Sequence, residues 1–223
     1  MNSRFNNPGP AMKHTTTQNL YAYWNAMRGA RLAPRRFEIE PAQIADILPD
    51  TFILERVDFE TYRFRLAGTR ICEHFGAELR GSNFLDPWTD QDHLSLSRLL
   101  TNVTQQGAVG VLTIEAETER GQTVPFEVLV LPLVHTRDSI DRILGCISPL
   151  DLPDWLGHER LDIRRLVHSD FMWPEGRPHK VIEQINRQSP FHAHIRNARI
   201  VRSERRQFRV YEGGLSKAGP GEP

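Results

Sequence analysis

Thr51-Phe52-Ile53-Leu54-Glu55-Arg56-Val57, then Asp58-Phe59-Glu60-Thr61, then Tyr62-Arg63-Phe64-Arg65-Leu66-Ala67-Gly68: this stretch decides the fold class. The first run is rich in β-branched and aromatic residues and reads as a strand. Asp58-Phe59-Glu60 turns the chain. Tyr62, Phe64 and Leu66 then alternate with Arg63, Arg65 and Ala67, the period-two pattern of a half-buried strand paired with the first. Gly68 breaks it.

Upstream the period is helical. Thr15 with Gln18 offers a capping box. Leu20, Tyr23, Trp24 and Met27 recur at i, i+3, i+4 and i+7, one stripe of an amphipathic helix that Gly29 ends. A second helix is expected from Pro41, with Ile44, Ile47 and Leu48 as its stripe and Pro49 as its stop. Downstream, Thr69 can open a short helix with Ile71 and Phe75 facing the core. Gly76–Trp88 is irregular. A longer helix, capped by Thr89 or Asp90, carries Leu96, Leu99, Leu100 and Val103 and stops at Gly107. Leu112, Ile114 and Ala116 alternate with Thr113, Glu115 and Glu117. Glu119–Gln122 is a hairpin turn, Thr123–Val134 the return strand, and Ile140–Pro149 the last strand.

This order predicts an α+β fold with a five-stranded antiparallel sheet, helices on one face and the N-terminal helix on or near the other. In Val128–Val134 both faces are apolar: Val128, Val130, Pro132 and Val134 on one, Leu129, Leu131 and Leu133 on the other. A strand with one wet face would alternate instead. The outer face is therefore expected to be covered, by the N-terminal helix or a second subunit. Leu20, Tyr23, Trp24, Met27, Leu129 and Leu131 are the candidate residues of a homodimer or partner interface.

The expected organisation is a disordered 1–14, a helical extension 15–50, a core 51–152 and a basic, partly ordered extension 153–223. Of the 223 residues, 1–154 hold 15 Lys and Arg against 20 Asp and Glu, and 155–223 hold 13 against 8. An acidic globular part thus carries a basic tail. Arg196, Arg199, Arg202, Arg205, Arg206 and Arg209 recur at about every third residue, and guanidinium forks suit phosphates. A solvated tail docked by Phe208, Val210 and Tyr211 is the simpler expectation, and nucleic acid the lesser alternative. No apolar run reaches the length of a membrane-spanning helix, and the polar N-terminus lacks a secretory signal, so cytoplasm is the expected compartment. The two cysteines, Cys72 and Cys146, are too few for a disulfide framework and are expected to be small buried hydrophobes.

Several words together carry a resemblance: Leu20-Tyr21-Ala22-Tyr23-Trp24, Arg28-Gly29, Ala33-Pro34-Arg35-Arg36, Ile47-Leu48-Pro49, Phe52-Ile53-Leu54-Glu55, Tyr62 to Arg70, Gly81-Ser82-Asn83-Phe84-Leu85-Asp86-Pro87-Trp88 and, near the end, Arg209-Val210-Tyr211-Glu212-Gly213-Gly214. The chain resembles the alphaproteobacterial single-domain PAS family long described only as a domain of unknown function, across residues 15–155. The order of elements is also that of the PAS fold. The resemblance implies a bacterial cytoplasmic protein with a regulatory, non-enzymatic role; members have been tied to cell-cycle and motility control. It brings no catalytic motif to transfer.

The chemistry of individual residues agrees. No G-x-S-x-G, P-loop or G-x-G-x-x-G is present. Asp92 and His93 are acid–base neighbours, but adjacent helical residues point about 100° apart, so they form no dyad. No cofactor or metal is expected. A haem would need an axial ligand such as His93 or His74. Flavin photochemistry would need a reactive cysteine in an Asn-Cys-Arg-Phe word, whereas Cys72 sits in Arg70-Ile71-Cys72-Glu73. A small ligand within the core is the remaining possibility, with Phe64, Leu66, Ile71, Phe75, Phe84, Trp88, His93, Leu96 and Leu100 as candidate lining. The leading expectation is a signalling adaptor that dimerises or docks to a partner such as a histidine kinase. The alternatives are a small-molecule sensor and a nucleotide- or nucleic-acid-binding protein acting through the Arg series.

Overall fold

The computed structural model describes residues 12–135 and 139–174. Most of the expected disordered N-terminus, and all of Arg196, Arg199, Arg202, Arg205, Arg206 and Arg209, lie outside the described residues.

Helix α1 spans Thr15–Arg28. Its N-cap is His14, whose Nδ1 accepts from the Thr16 amide at 3.1 Å, so an imidazole does the work expected of the Thr15 hydroxyl. Leu20 and Trp24 of its stripe are buried, and Tyr23 and Met27 half-buried. Pro41–Asp50 forms consecutive 3-10 turns kinked at Ile44, rather than the expected α-helix. Proline sits at both its start and its last turn, leaving no room for a continuous i to i−4 ladder.

The strands are β1 (Thr51–Arg56), β2 (Tyr62–Ala67), β3 (Val109–Thr118), β4 (Thr123–Val134), β5 (Ile140–Pro149) and β6 (Leu161–Met172). Between β2 and β3 lie α2 (Thr69–Phe75) and α3 (Asp90–Gln106). The sheet order is β2-β1-β5-β4-β3-β6, antiparallel at every pair. The α+β, PAS-like plan stands, but among the described residues the sheet has six strands rather than five. The sixth comes from the start of the segment expected to be a partly ordered extension. Two register shifts against β3 explain why its alternation is hidden: Asp162 and Val167 are looped out of the pairing. The inward positions therefore step as Leu161, Arg164, Leu166, Ser169 and Phe171, a spacing of three, two, three, two. That matches neither a strand nor a helix.

The sheet has two apolar faces. On the inner face Phe52, Leu54, Phe64, Leu112, Ile114, Val128 and Val130 pack with Ile71 and Phe75 of α2 and Leu96, Leu99, Leu100 and Val103 of α3. On the outer face Ile53, Val111, Leu129, Leu131, Leu133, Leu144 and Cys146 pack with Leu20 and Trp24 of α1 and with Ile44. Each such side chain is worth about 1.5–3 kcal/mol when fully buried. The cover expected for the outer face is thus supplied within the chain. Leu20, Trp24, Leu129 and Leu131, assigned above to a partner interface, are buried against one another's elements and present no free surface. A subunit contact through them would require α1 to leave the sheet.

Four polar contacts fix α1 in place. The buried Glu127 carboxylate of β4 accepts the amides of Lys13 and His14 at 2.8 and 2.9 Å. The Trp24 indole donates to the Pro132 carbonyl at 2.9 Å. Cys146 Sγ lies 3.8 Å from Thr17 Oγ1, and burial pushes its thiol pKa up to about 12, so it is an inert part of the packing. Cys72, on α2, is half-buried beside the inner core.

Candidate functional site

β2 is an edge strand, and the chain that follows α2 folds back to cover it. The Gly81 amide donates to the Phe64 carbonyl at 2.8 Å, the Phe64 amide to the Ser82 carbonyl at 3.0 Å and the Phe84 amide to the Tyr62 carbonyl at 2.8 Å. Asn83 organises this return. Its Oδ1 accepts the Tyr62 amide at 2.8 Å, while Nδ2 donates to the Glu60 carbonyl at 3.0 Å and to Asp86 Oδ1 at 2.9 Å. The Gly81–Trp88 word is thus a built loop whose Phe84 and Trp88 rings, centroids 5.8 Å apart, enter the inner core.

β6 closes on this loop from the far edge of the sheet. Arg164 makes an isolated backbone bridge to Trp88. The Leu166 amide donates to Asp92 Oδ2 at 3.1 Å, and Thr89 Oγ1 lies 3.0 Å from the same oxygen. Asp92, weighed above as an acid–base residue, is therefore a tether between α3 and β6. Gly76, the left-handed residue after α2 (φ 61°), lies against the residue before β6: a Cβ there would lie 3.1 Å from Arg160 Cα. A side chain at this position would be strained and would press on the Arg160 backbone.

Between α2, the loop and β6 lies a cleft of about 210 Å³. Phe64, Phe75, Leu79 and Leu161 give it apolar walls; Ser82, Asn83, Glu78, Asp86, Asp162, Arg160 and Arg164 give it polar ones. Most of these polar groups are already engaged. Ser82 Oγ donates to the Leu79 carbonyl at 2.6 Å, Glu78 Oε1 accepts the Arg80 amide at 3.0 Å, and Arg160 Nε pairs with Asp162 Oδ1 at 2.5 Å. Arg164 differs. It is 5% exposed, its guanidinium carbon sits 4.1 Å from the Phe75 ring centroid, and its Nε has no hydrogen-bond partner. Register places it inward, opposite Ala116, whose small side chain leaves room for it. Burial pushes its pKa down to about 10, with Asp162 opposing the shift, so it stays protonated at neutral pH.

Of the lining residues expected from sequence, Phe64 and Phe75 do face this cleft. Ile71, Phe84, Trp88, Leu96 and Leu100 pack in the inner core beside it. Leu66 does not belong to either set. A register shift at Ile53/Leu54 loops Arg65 out of the pairing, so Leu66 turns to the other face opposite Ile53 and is 36% exposed. His93 is half-exposed in the first turn of α3 and is not part of the cleft wall. Sequence reasoning does not reach Arg164, Arg160 and Leu161. The run Leu161-Asp162-Ile163-Arg164-Arg165-Leu166 has a strand-like composition, but its bulge hides which arginine points inward.

An antiparallel sheet with α2, α3 and a folded-back loop on its inner face, and a cleft between them, is an arrangement of the PAS type. A family model described as PAS domain matches residues 12–148, more than half of the chain. The chain belongs to the PAS domain family. Among solved structures, it is similar to a Rhodobacter sphaeroides LOV protein, with TM-score 0.39 and 12% identity over 52% of this chain and 71% of that one. It is also similar to a light-oxygen-voltage domain studied with a flavin analogue, with TM-score 0.37 and 11% identity over 49% and 85% of the two chains. No curated protein matches the sequence. Among the described residues no helix is long and apolar enough to cross a membrane.

Proposed function

We propose that the protein is a cytoplasmic bacterial regulator whose PAS domain binds a small molecule in the cleft between α2 and β6, and relays occupancy to a protein partner without turning a substrate over. The observation that carries this is the composition of the cleft wall. It joins Phe64 of one edge strand, Phe75 of α2 and Leu161 and Arg164 of the opposite edge strand. A ligand there touches three elements at once, and β6 leads directly into the C-terminal segment. Occupancy would therefore bias the position of β6, in keeping with a shift between two populated arrangements. Native mass spectrometry of protein purified from its own cells tests the reading: a bound small molecule, released on unfolding, supports it, and a clean apo mass with no ligand-induced rise in Tm across a metabolite panel opposes it.

A second reading, an adaptor docking to a partner such as a histidine kinase, has its own support. Phe59 and Leu94 are 63% and 54% exposed, and Phe59 borders a depression with Ser97, Arg98, Thr101 and Asn102 of α3. Large exposed apolar side chains beside polar ones suit a protein contact. Pull-down with Phe59→Ser and Leu94→Ser variants separates the readings: loss of a partner without loss of a bound small molecule favours the adaptor.

A further inference from the structure

A guanidinium has five donors and no route to neutrality, so a buried one ordinarily has an acid or carbonyl groups to meet it. Three of the four buried charged side chains among the described residues obey this. Glu127 holds two amides, Asp50 pairs with Arg70, and Arg28 donates to Asn25 Oδ1 and to the Arg31 carbonyl at 2.9 Å each. Arg164 does not: no carboxylate among the described residues forms an ion pair with it, and it rests on the face of Phe75. Stacking on a ring compensates part of the burial but satisfies no N–H.

We propose that Arg164 is the carboxylate-binding residue of the cleft and that its ligand is a small monocarboxylate with an apolar body. This rests on reading the cleft as a ligand site. The two oxygens of a carboxylate match the guanidinium fork. The body would lie against Phe64, Phe75, Leu79 and Leu161. The other polar wall groups described above are spent on one another or on backbone, which leaves the Arg164 donors for a guest. The same wall selects against higher charge. Glu78, Asp86 and Asp162 outnumber Arg160 and Arg164, so a phosphate ester or nucleotide entering the cleft meets a net repulsion that a single carboxylate, delivered to Arg164, largely avoids.

Calorimetric titration of the full-length protein with phenylacetate and with its neutral isostere phenylacetamide tests the assignment. Phenylacetate should bind about tenfold or more tightly than the amide, as expected for a charge-assisted hydrogen-bond pair. Arg164→Met should erase that preference while circular dichroism stays unchanged, and millimolar inorganic phosphate should not displace the acid. Should Arg164→Met not fold, the acid-to-amide ratio of the unaltered protein decides by itself. Equal binding of acid and amide, or displacement by phosphate, overturns the carboxylate assignment and leaves the cleft as a site for another ligand. Binding of neither probe also overturns it, whereas the wider ligand-site reading stands or falls on the co-purified mass.

Discussion

Trp24 and Pro132 solve each other's problem. β3 pairs with β4 only as far as Gly110 opposite Val130, so Pro132 lies beyond the end of its neighbour on that side. A proline there forfeits no ladder bond to β3, because the pairing of β3 has already ended. Its carbonyl faces the same flank and would be left unpaired beneath α1. The Trp24 Nε1, 2.9 Å away, takes it. Trp24→Phe should keep most of the packing and cost about 1–3 kcal/mol for the unpaired carbonyl. Trp24→Ala should cost about 3–5 kcal/mol. Urea denaturation of both variants checks the difference; equal losses would show that the hydrogen bond contributes nothing.

The start of α1 hangs on one carboxylate. Glu127→Ala strands the Lys13 and His14 amides and should cost about 2–4 kcal/mol. Hydrogen exchange should then accelerate at residues 13–18 while the α3 amides keep their protection. Uniform acceleration throughout the domain would mean that α1 does not open separately from the rest.

Phe64 and Phe75 stand where the inner core meets the cleft. Phe64 has the rings of Phe52 and Phe84 at 5.7 and 5.8 Å, and Phe75 stacks on Phe126 at 5.3 Å. Truncating either to Ala should lower stability by about 3–5 kcal/mol. Melting like the parent protein would contradict the packing described for these rings.

His74 should make stability fall on mild acidification. Burial holds its pKa below the ordinary 6.5, with the Asp50 charge opposing and the Arg70 charge assisting. The unfolded chain therefore takes up this proton first, so the contribution is complete above 6.5 and is lost as pH falls toward the lower folded value. Asp50, raised by burial despite Arg70, acts in the opposite sense, its contribution lost as pH rises from 3.8 through its raised value. His74→Gln should thus flatten the loss of stability as pH falls below 6.5. Chemical denaturation at several pH values decides; an unchanged slope would remove His74 as its source.

Removal of β6 should cost the domain its fold. A chain ended after residue 152 bares the β3 edge and uncovers the inner core where Leu161, Leu166 and Phe171 pack. Such an edge invites pairing with other chains. Size-exclusion chromatography should show aggregates for that truncation and a discrete species for one ending after residue 174. A well-behaved short form would make β6 an accessory.

The period changes at Thr51 and Gly68, the stripe Leu96-Leu99-Leu100-Val103 and the two-sided apolar run in β4 each carry their structural meaning in the residues themselves. They are regular, and regularity is what sequence patterns report. What escapes are departures from regularity. The bulge at Arg65 sends Leu66 to the far face, and the two bulges of β6 disguise a strand as an irregular basic segment. The cap at His14 uses a side chain uncommon in that role. Arg164 escapes for a related reason: nothing local to it distinguishes it from Arg165, which points the other way and pairs with Glu115 and Glu117. Only the partner strand decides which of the two arginines goes inside.

The looped-out residues of β6 also set which changes in chain length the domain can absorb. Val167 has no partner on β3 and is 62% exposed. Deleting it would join Leu166 to His168 in plain alternation and leave every inward residue inward. Deleting Arg165 instead would throw Leu166 outward and break the tether to Asp92. Homologues of this domain should therefore differ in length at the first position and agree at the second, so that gaps between their sequences would fall on the bulge.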